Sequence, residues 1–554
     1  MKRSRLFAVA IGLVLLMGMV SAMAADPLPV AVEPGRLEQR FEQPPEPRAT
    51  GEALIPESKA LLPPDEAGQI RFYLTAVEIE GATVFAADDF RAFYADLLGR
   101  EVSLLDIYQV AAKATARYGN AGYLLSRVIV PAQTVSNGTV RLLAVEGYID
   151  RVVIMGKPHG QSEFFDLYAE KIKASRPLHN SVIERYLLLA NDLPGTRVQS
   201  VLRPSADNTG AATLTLTVMR TRYNGMASID NRGSKAIGRW QALLEGNVNG
   251  FWGGADRNAV LLATTPEDTD ELHYVALSHS QVLNREGTSL DLSFTWSESE
   301  PGENFMRLLE VETESRSAGI SLAHPVQRSR AANLTLSGGF AWRDSETMQL
   351  GEKTAEDRLY FLHMGLLHDR ADATGVNLLA LTLSQGLDLG NAQVETRAGA
   401  KEDFTKLEFY ASRTQRLTEE WSATLRVGGQ VSGSGLPASE QFGIGGETFG
   451  RAFDPSEWTG DNGAAASLEV SRRLWLTDSI EGRPYLFCDT ATVRRRHPLN
   501  EAKYDSADSA GLGVRLSFPR GLSLAVEAAK PLANRAIPDE SKDWRYFLRA
   551  MAKF

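Results

Sequence analysis

The sequence has few of the residues that usually mark a chemical site. Its one cysteine, Cys488, excludes an internal disulfide bond. Its eight histidines are scattered, and none has the spacing of a zinc site such as His-Glu-x-x-His. Neither a Gly-x-Ser-x-Gly nucleophile turn nor a phosphate-binding P-loop is present. We therefore expect no metal, no cofactor and no enzymatic activity.

Positive charge and long apolar runs are also scarce. The formal net charge is −10, which argues against a nucleic-acid-binding protein. The single long apolar run, residues 6–20, follows Lys2, Arg3 and Arg5 and precedes the small residues Ala22-Met23-Ala24. This pattern predicts a signal peptide over residues 1–25, because the run is short for the alternative, a transmembrane anchor. No later stretch reaches 18 apolar residues, so the mature chain could cross a membrane only as a closed β-barrel.

The residues after the predicted signal peptide divide into two parts. Residues 26–42 include a short amphipathic pattern, Gly35–Glu42, that predicts a helix. Residues 43–70 are rich in proline, which predicts an extended, semi-rigid linker. Simple disorder is the alternative for both parts.

Residues 71–147 and 148–221 have the pattern of two copies of one β-α-α-β-β unit of about 75 residues. In the first copy, strand signals near Val77 and at 123–130 and 139–145 flank helical patterns at 86–98 and 103–118. In the second copy we predict strands and helices in the same order: 149–155, 163–174, 180–191, 198–203 and 213–220.

From residue 222 to residue 554 the helical period gives way to strict alternation of apolar and polar residues. Leu290, Leu292, Phe294 and Trp296, for example, alternate with polar residues. At about 20 residues per strand and connection, this region holds roughly 16 strands, which suits an outer-membrane barrel. A soluble β-sandwich would show the same alternation. The signal peptide, the length of the region and its aromatic C-terminus favour the barrel.

One long segment, Gln441–Asp461, interrupts the alternation. It is too rich in glycine for a helix interior and too long for a tight hairpin, and it carries Arg451 between aromatic residues. It is either a solvated surface loop or a loop folded into the barrel interior, with the arginine paired to an acidic residue of the wall.

Together these features resemble the outer-membrane transporters of two-partner secretion (TpsB), the haemolysin secretion/activation type, in the superfamily of the barrel-assembly insertase. Nearly all of the mature chain takes part in the resemblance. The segments that carry it are Gly35–Phe41 with the Pro-rich linker, Gly122-Tyr123 with Pro131-Ala132-Gln133 and 138–147, Ile229–Ser234, and Gly450–Phe453.

The resemblance implies a mainly β fold: a 16-stranded antiparallel transmembrane β-barrel with two N-terminal POTRA-like domains in the periplasm. It implies a transporter of the bacterial outer membrane that captures an unfolded client, an adhesin or haemolysin of the TpsA type, and translocates it. Other implied partners are outer-membrane lipid and, during biogenesis, the barrel-assembly machinery. We expect a monomer that binds no nucleic acid. Export would be driven by diffusion and by folding of the client outside the cell.

Site residues also follow from the resemblance. Gly450, Arg451, Ala452 and Phe453 stand at the family's Val-Arg-Gly-Tyr/Phe position, although Gly450 and Ala452 depart from it. Asp489 matches the acidic wall partner, and alternation places Phe487 on the same face. An Arg451–Asp489 pair would pin the loop inside the barrel. Asp489 facing lumen water is the alternative.

The two POTRA-like domains imply client capture, which we expect around Tyr123, Pro131 and Gln133, with bracing of the barrel as the alternative. Residues 26–42 resemble the family's plug helix. Two rival functions remain: a barrel-assembly insertase, which usually carries more POTRA units, and a barrel-anchored receptor without a pore.

Overall fold

The computed structural model describes residues 32, 36–42, 44–50, 64–158, 160–205, 208–497, 502–533 and 543–554. The predicted signal peptide and residues 51–63 of the predicted linker lie outside these ranges. Within them, no helix has the length and hydropathy needed to cross a bilayer.

Helices are short and lie mainly in the first third of the described chain. They are α1 (Arg36–Phe41), α2 (Pro64–Gln69), α3 (Asp88–Arg91), α4 (Leu104–Asn120), α5 (Ser162–Ala174), α6 (Asn180–Asp192) and α7 (Asn304–Leu308). The strands of the N-terminal units are β1 (Arg71–Leu74), β2 (Ala76–Glu80), β3 (Arg100–Ser103), β4 (Arg127–Ile129), β5 (Thr139–Val145), β6 (Tyr148–Gly156), β7 (Thr196–Pro204) and β8 (Ala211–Arg220).

The remaining strands follow one another to the C-terminus. They are β9 (Tyr223–Asp230), β10 (Gln241–Asn249), β11 (Asp256–Thr264), β12 (His273–Val282), β13 (Ser289–Ser299), β14 (Glu312–Arg328), β15 (Ala332–Gln349), β16 (Glu352–Ala371), β17 (Gly375–Gly386), β18 (Gln393–Val394), β19 (Thr405–Arg416), β20 (Trp421–Ser432), β21 (Phe442–Ile444), β22 (Trp458–Gly460), β23 (Asn462–Arg472), β24 (Leu474–Thr477), β25 (Ile480–Arg494), β26 (Tyr504–Ser517), β27 (Leu522–Ala533) and β28 (Arg545–Lys553).

The first N-terminal unit packs α4 on the three-stranded sheet β2-β5-β4, and β1 and β3 form a separate ribbon. A capping box between Ser103 and Asp106 starts α4. The predicted helix 86–98 is wrong, because the segment divides into α3 and a 3-10 turn. Phe85 and Phe90 both pack against Tyr118, with ring centroids 4.9 and 6.1 Å away. Tyr94, whose φ of −135° lies outside the helical range, separates the two parts.

The predicted strand 123–130 is also shorter than expected, because only β4 pairs with β5. A turn closed by the Ser126 N–H, which donates to the Tyr123 carbonyl, precedes it. Pro131, which lacks an N–H, lies two residues after the end of β4. The second unit repeats the core of the first, with α5 and α6 on the sheet β6-β8-β7. Phe165, Tyr168, Ile172 and Leu214 are buried in its core.

Strands β9 to β28, apart from β21 and β22, form a closed antiparallel barrel in the described residues, with β28 pairing with β9. It has sixteen long strands, because β18 and β24 are short additional segments. Leucines on its outer face are 38% to 63% exposed, as on a lipid-facing wall, and lie on successive strands. Examples are Leu262, Leu277, Leu292, Leu322, Leu362, Leu425, Leu468, Leu486, Leu512 and Leu548.

Two segments occupy the lumen of this barrel. One is the stretch between β20 and β23, which contains β21 and β22. The other is α1, which is continued by the extended residues 44–50. The N-terminal units lie at the opposite end of the barrel from the β20–β23 connection. The turns between β10 and β11, β12 and β13, and β14 and β15 face these units.

Candidate functional site

The segment between β20 and β23 folds back into the lumen as a hairpin, which we call the lumen loop (residues 433–461). Strands β21 and β22 form its stem. At its tip the Gly445 N–H donates to the Phe449 carbonyl over 3.0 Å. Gly445 and Gly450 have φ of 107° and 78°, a region that favours glycine. A Cβ on Gly445 would lie 2.1 Å from the Asp454 carbonyl oxygen, so the tip requires glycine there.

The side chain of Arg451 reaches from the tip of the loop to the wall and is 3% exposed. Its Nε and Nη2 donate to the two carboxylate oxygens of Asp489 over 3.1 and 2.9 Å, and its backbone N–H donates to Oδ2 over 3.0 Å. Its Nη1 donates to Glu469 over 2.9 Å. The structure therefore brings together the two residues that the resemblance pairs, in a bidentate arrangement. Ala452, the next residue, accepts a hydrogen bond from Arg545 at its carbonyl.

Further charged groups extend the pair into a network. Arg515 donates to both oxygens of Glu469 over 2.6 and 3.0 Å. Arg232 donates to Glu527 over 2.6 Å, and Glu527 lies 3.8 Å from Arg451. Three guanidinium groups thus meet three carboxylates in a buried region. Each charge is compensated, which is the condition under which burial of ions is tolerated.

Aromatic rings form a floor beneath these charges. The Arg451 guanidinium lies 3.5 Å from the ring centroid of Phe487, and Arg515 lies 3.9 Å from that of Tyr485. Phe453 packs edge-on against Trp458 at 5.0 Å. The faces of the rings attract the guanidinium cations, and the rings exclude water from the ion pairs.

Helix α1 is the second occupant of the lumen. Arg36 donates to the Gln441 carbonyl of the lumen loop over 2.8 Å. On the wall, Glu38 accepts from Arg343 over 3.0 Å, and Arg40 donates to Asp230 over 3.0 Å. Leu37 is buried in a small apolar cluster. The helix is therefore held by three charged side chains and one short apolar face.

The partners of α1 are shared with the lumen loop. Arg343 also donates to Glu440 of the loop, and Lys406 lies 2.9 Å from the same carboxylate. Asp230, on the first barrel strand, also accepts from Arg549 on the last strand over 3.1 Å. If α1 withdrew, both wall groups would keep a partner of opposite charge, which lowers the cost of its release.

Asp461, at the far end of the loop, holds three connections together at the outer end of the barrel. It is fully buried and accepts from both Nη atoms of Arg397 over 2.5 and 3.0 Å. It also accepts from the backbone N–H groups of Leu436 and Arg496, each over 2.7 Å. One carboxylate thus links the β18–β19 connection, the lumen loop and the β25–β26 connection.

A cavity of about 670 Å³ lies between α1, the lumen loop and the wall. Arg426, Arg515 and Arg549 line it together with Glu447 and Glu469. A lining of mixed charge suits a hydrated polypeptide better than a compact apolar ligand. Within the described residues no group of three or more His, Cys, Asp or Glu could hold a metal ion.

The residues expected near the client site belong to the framework of the first unit. Tyr123 packs edge-on against His179 of the second unit, with centroids 5.1 Å apart. The side-chain amide of Gln133 donates to the Arg141 carbonyl over 2.7 Å and accepts from the Arg141 N–H over 2.8 Å. Gln133 thus occupies the place beside β5 where β4 would continue beyond Pro131. Their part in client capture stays a prediction.

The second unit is docked on the turns of the barrel. Glu286, in the β12–β13 turn, accepts from Tyr186 over 3.1 Å and lies 3.5 and 3.4 Å from Lys171 and Arg185. Burial alone would raise the pKa of Glu286, but the Tyr186 hydroxyl and the two cations outweigh it and lower the pKa. In the next turn, Arg328 donates to both oxygens of Asp192.

Sequence reasoning identified one carboxylate of the site, Asp489, and missed three others: Glu469, Glu527 and Asp461. Glu469 alternates in phase with Ser467 and Ser471 on β23, so alternation could have placed it on the lumen face. Asp461 carried no such signal, because its partners come from connections up to 64 residues away.

Comparison with known proteins identifies the family. The description "Haemolysin secretion/activation protein ShlB/FhaC/HecB" matches residues 210–516, more than half of the chain, and a POTRA domain of the ShlB type matches residues 72–147. The chain belongs to the haemolysin secretion/activation protein family. It is therefore an outer-membrane transporter of two-partner secretion, with its POTRA domains in the periplasm. It captures an unfolded exported client and translocates it through the barrel.

Similar proteins span nearly the whole chain. The heme/hemopexin transporter protein HuxB of Haemophilus influenzae (strain 86-028NP) is 24% identical over 93% of each chain. The outer membrane transporter CdiB of Dickeya dadantii (strain 3937) is 23% identical over 83% of each chain. The solved structure of CdiB from Escherichia coli has the same fold, with a TM-score of 0.72 at 20% identity, over 92% of this chain and 94% of that chain.

Proposed function

We propose that the transporter exports its client past a fixed lumen loop after α1 has left the barrel. The observation that carries this proposal is the unequal anchorage of the two lumen segments. Arg451 is enclosed by a bidentate carboxylate, a second carboxylate and an aromatic ring, whereas α1 spans six residues. The wall partners of α1 also have other partners of opposite charge. The loop therefore stays in the lumen during export, and α1 withdraws from the lumen as a plug.

A reversible cross-link tests this order of events. In a Cys488→Ser background, Leu37→Cys and Ile237→Cys place two thiols in one buried cluster. A short thiol-specific disulfide cross-linker would hold α1 in the lumen. We expect client secretion to stop on cross-linking and to return on reduction, while either single-cysteine variant secretes normally. Full secretion with α1 cross-linked would contradict the proposal.

We further propose that the edge of β7 in the second POTRA unit takes up the client by strand addition. The Val198 N–H donates away from the sheet to Asn191, so by alternation the N–H groups of Ser200 and Leu202 face the same outer edge. Val201 and Leu202 are 50% and 42% exposed. In the first unit the corresponding β4 has three residues, and Gln133 fills the place of its extension.

Substitution at Ser200 tests the edge. Ser200→Pro removes one outward N–H, and the matched Ser200→Ala keeps it. We expect periplasmic co-purification of the client to fall with the proline variant alone. Equal recovery from both variants would exclude this edge.

The remaining features of the function are proposals supported by composition. The exposed leucine belt supports contact with outer-membrane lipid, and with it a need for the barrel-assembly machinery during biogenesis. We propose a monomer that catalyses no reaction and exports one adhesin or haemolysin. HuxB is named for heme/hemopexin transport. For this chain, the reading frame beside its gene would identify the client.

A further inference from the structure

An extended segment connects the plug to the periplasmic end of the barrel. Residues 44–50, which we call the tether, follow α1 and include three prolines that keep the chain extended. Pro44, Pro45 and Pro47 line the lumen cavity. Ala49, further along, is 6% exposed. The other six residues of the tether are exposed, so its position depends on specific contacts at Ala49 and Thr50.

Two acceptors on the wall hold the tether by its backbone. The Ala49 N–H donates to Oδ2 of Asp369 over 2.7 Å, and the Thr50 N–H donates to the carbonyl of Arg330 over 2.9 Å. Asp369 is 2% exposed, and Asn333 donates to the same Oδ2 over 2.9 Å. We call this set of Asp369, Asn333 and the Arg330 carbonyl the rim site. A carboxylate that accepts an N–H makes a charge-assisted bond.

The rim site adjoins the second POTRA unit. The Arg330 N–H donates to Glu184 of α6 over 2.8 Å. Arg328 connects Asp192, at the end of α6, to the Asn333 side chain over 3.0 Å. The rim site therefore lies where the β14–β15 turn contacts this unit. The tether runs from the lumen to the rim site, and its residue numbers increase in that direction.

We propose that the rim site binds the extended backbone of the exported polypeptide, and that the tether fills it at rest as an internal substitute. The proposal rests on the proposed function, because it assumes that the plug withdraws. The site contacts N–H groups and not tether side chains, so it fits clients of many sequences. It also discriminates against folded chains, whose N–H groups are already hydrogen-bonded. Withdrawal of the plug would vacate the site as the client arrives.

Tether variants test the resting half of the proposal. Full-length Ala49→Pro removes the N–H that Asp369 accepts, and Thr50→Pro removes the one that Arg330 accepts. Ala49→Ser keeps the N–H and serves as the control. In planar bilayers we expect each proline variant to open about tenfold more often than the control, the effect of losing one hydrogen bond to a charged or buried acceptor. Unchanged opening in both proline variants would overturn the resting half.

Added peptide tests the binding half. The probe is a synthetic peptide with the sequence of residues 44–50, and its control is the same peptide N-methylated only at the position of Ala49, the residue whose N–H Asp369 accepts. On the Ala49→Pro transporter we expect the unmodified peptide to block current at about tenfold lower concentration than the methylated one. On Ala49→Pro/Asp369→Ala the two peptides should block alike.

Equal block by the two peptides on the Ala49→Pro transporter, or an unchanged difference without Asp369, would overturn the rim site. If Thr50→Pro inserts more efficiently than Ala49→Pro, it serves as the background instead. These outcomes are separate from failure of the proposed function. If the plug cross-link leaves secretion intact, the release of the plug is wrong, yet peptide block can still report binding at the rim site.

Discussion

The lumen loop and α1 occupy the same barrel but are held in different ways. The loop contributes Arg451, which pairs with Asp489 and Glu469 at hydrogen-bond distance. Glu469 would keep Arg515 if the loop left, but Asp489 would lose the cation that it pairs with.

The plug contributes Arg40 and Glu38, whose wall partners are also paired with other groups. The comparison indicates two uses of buried charge. A lumen segment stays fixed where its removal would leave a wall ion without a partner, and it can leave where each wall ion keeps another partner. The predictions below test this contrast, from the largest expected effect to the smallest.

Loss of Arg451 should have the largest effect. Arg451→Ala leaves Asp489 buried without its main cation, at a cost of about 3–5 kcal/mol. Asp489→Ala removes the bidentate acceptor of the arginine, which then keeps Glu469 and the more distant Glu527 as carboxylate partners. We expect client secretion to fall at least about tenfold in each single variant. The exchange Arg451→Asp/Asp489→Arg should restore part of it. Secretion into the medium is the measurement, and full secretion by both single variants would remove the pair from the mechanism.

Loss of the plug contacts should increase channel opening and should not reduce secretion. Glu38→Gln/Arg40→Gln weakens two hydrogen-bonded ion pairs of α1 but leaves Arg343 with Glu440 and Asp230 with Arg549. We expect a higher open probability in planar bilayers, by about ten- to a hundredfold, and unimpaired secretion. A closed channel with impaired secretion would show that α1 is a fixed part of the barrel.

Neutralising Asp461 should loosen the outer end of the barrel alone. Asp461→Asn keeps the size of the side chain but replaces a charge-assisted acceptor of Arg397, at about 1–3 kcal/mol. We expect faster proteolysis of the connections at 395–404 and 433–441 on intact cells, with Arg451 still in place. The matched control is Asp372→Asn in a turn at the opposite end. Unchanged proteolysis would show that the three connections are held by other contacts.

The smallest effect should come from pH at the POTRA–barrel junction. The folded pKa of Glu286 is lowered, so its ion pairs contribute fully above the ordinary glutamate pKa of 4.5 and are lost as the pH falls through the lower folded value. The amide protection factors of α6, which correct for the slower intrinsic exchange in acid, should therefore fall below about pH 4.5. Glu286→Gln should exchange faster at neutral pH and show a weaker pH dependence. Identical profiles would exclude this carboxylate as the cause.

Much of this arrangement could be predicted from the sequence, because it depends on alternation. Alternation along β25 places Tyr485, Phe487 and Asp489 on one face, and the structure buries all three in the lumen. The family resemblance supplied Arg451 as the partner. Alternation describes only one strand at a time, however. The sequence therefore did not reveal that Glu469 completes the site from a neighbouring strand.

Other features depend on contacts that local patterns do not contain. The predicted helix 86–98 failed because Tyr94, with a φ of −135°, breaks the helical backbone between α3 and the 3-10 turn, while Phe90 packs on Tyr118. The contact of Ala49 with Asp369 joins residues 320 positions apart. A proline-rich segment gives no sign in its composition that two of its N–H groups, those of Ala49 and Thr50, are bound.

Thiol labelling during export tests the central contrast most directly. In a Cys488→Ser background, one transporter carries Leu37→Cys in the plug and another carries Ala452→Cys in the loop; the native residues are 7% and 1% exposed. Each is treated with a small maleimide in cells with and without the exported client. The account predicts that the client accelerates labelling at position 37 at least about tenfold and leaves position 452 unlabelled. Labelling at position 452 that rises with the client, while position 37 stays protected, would contradict it.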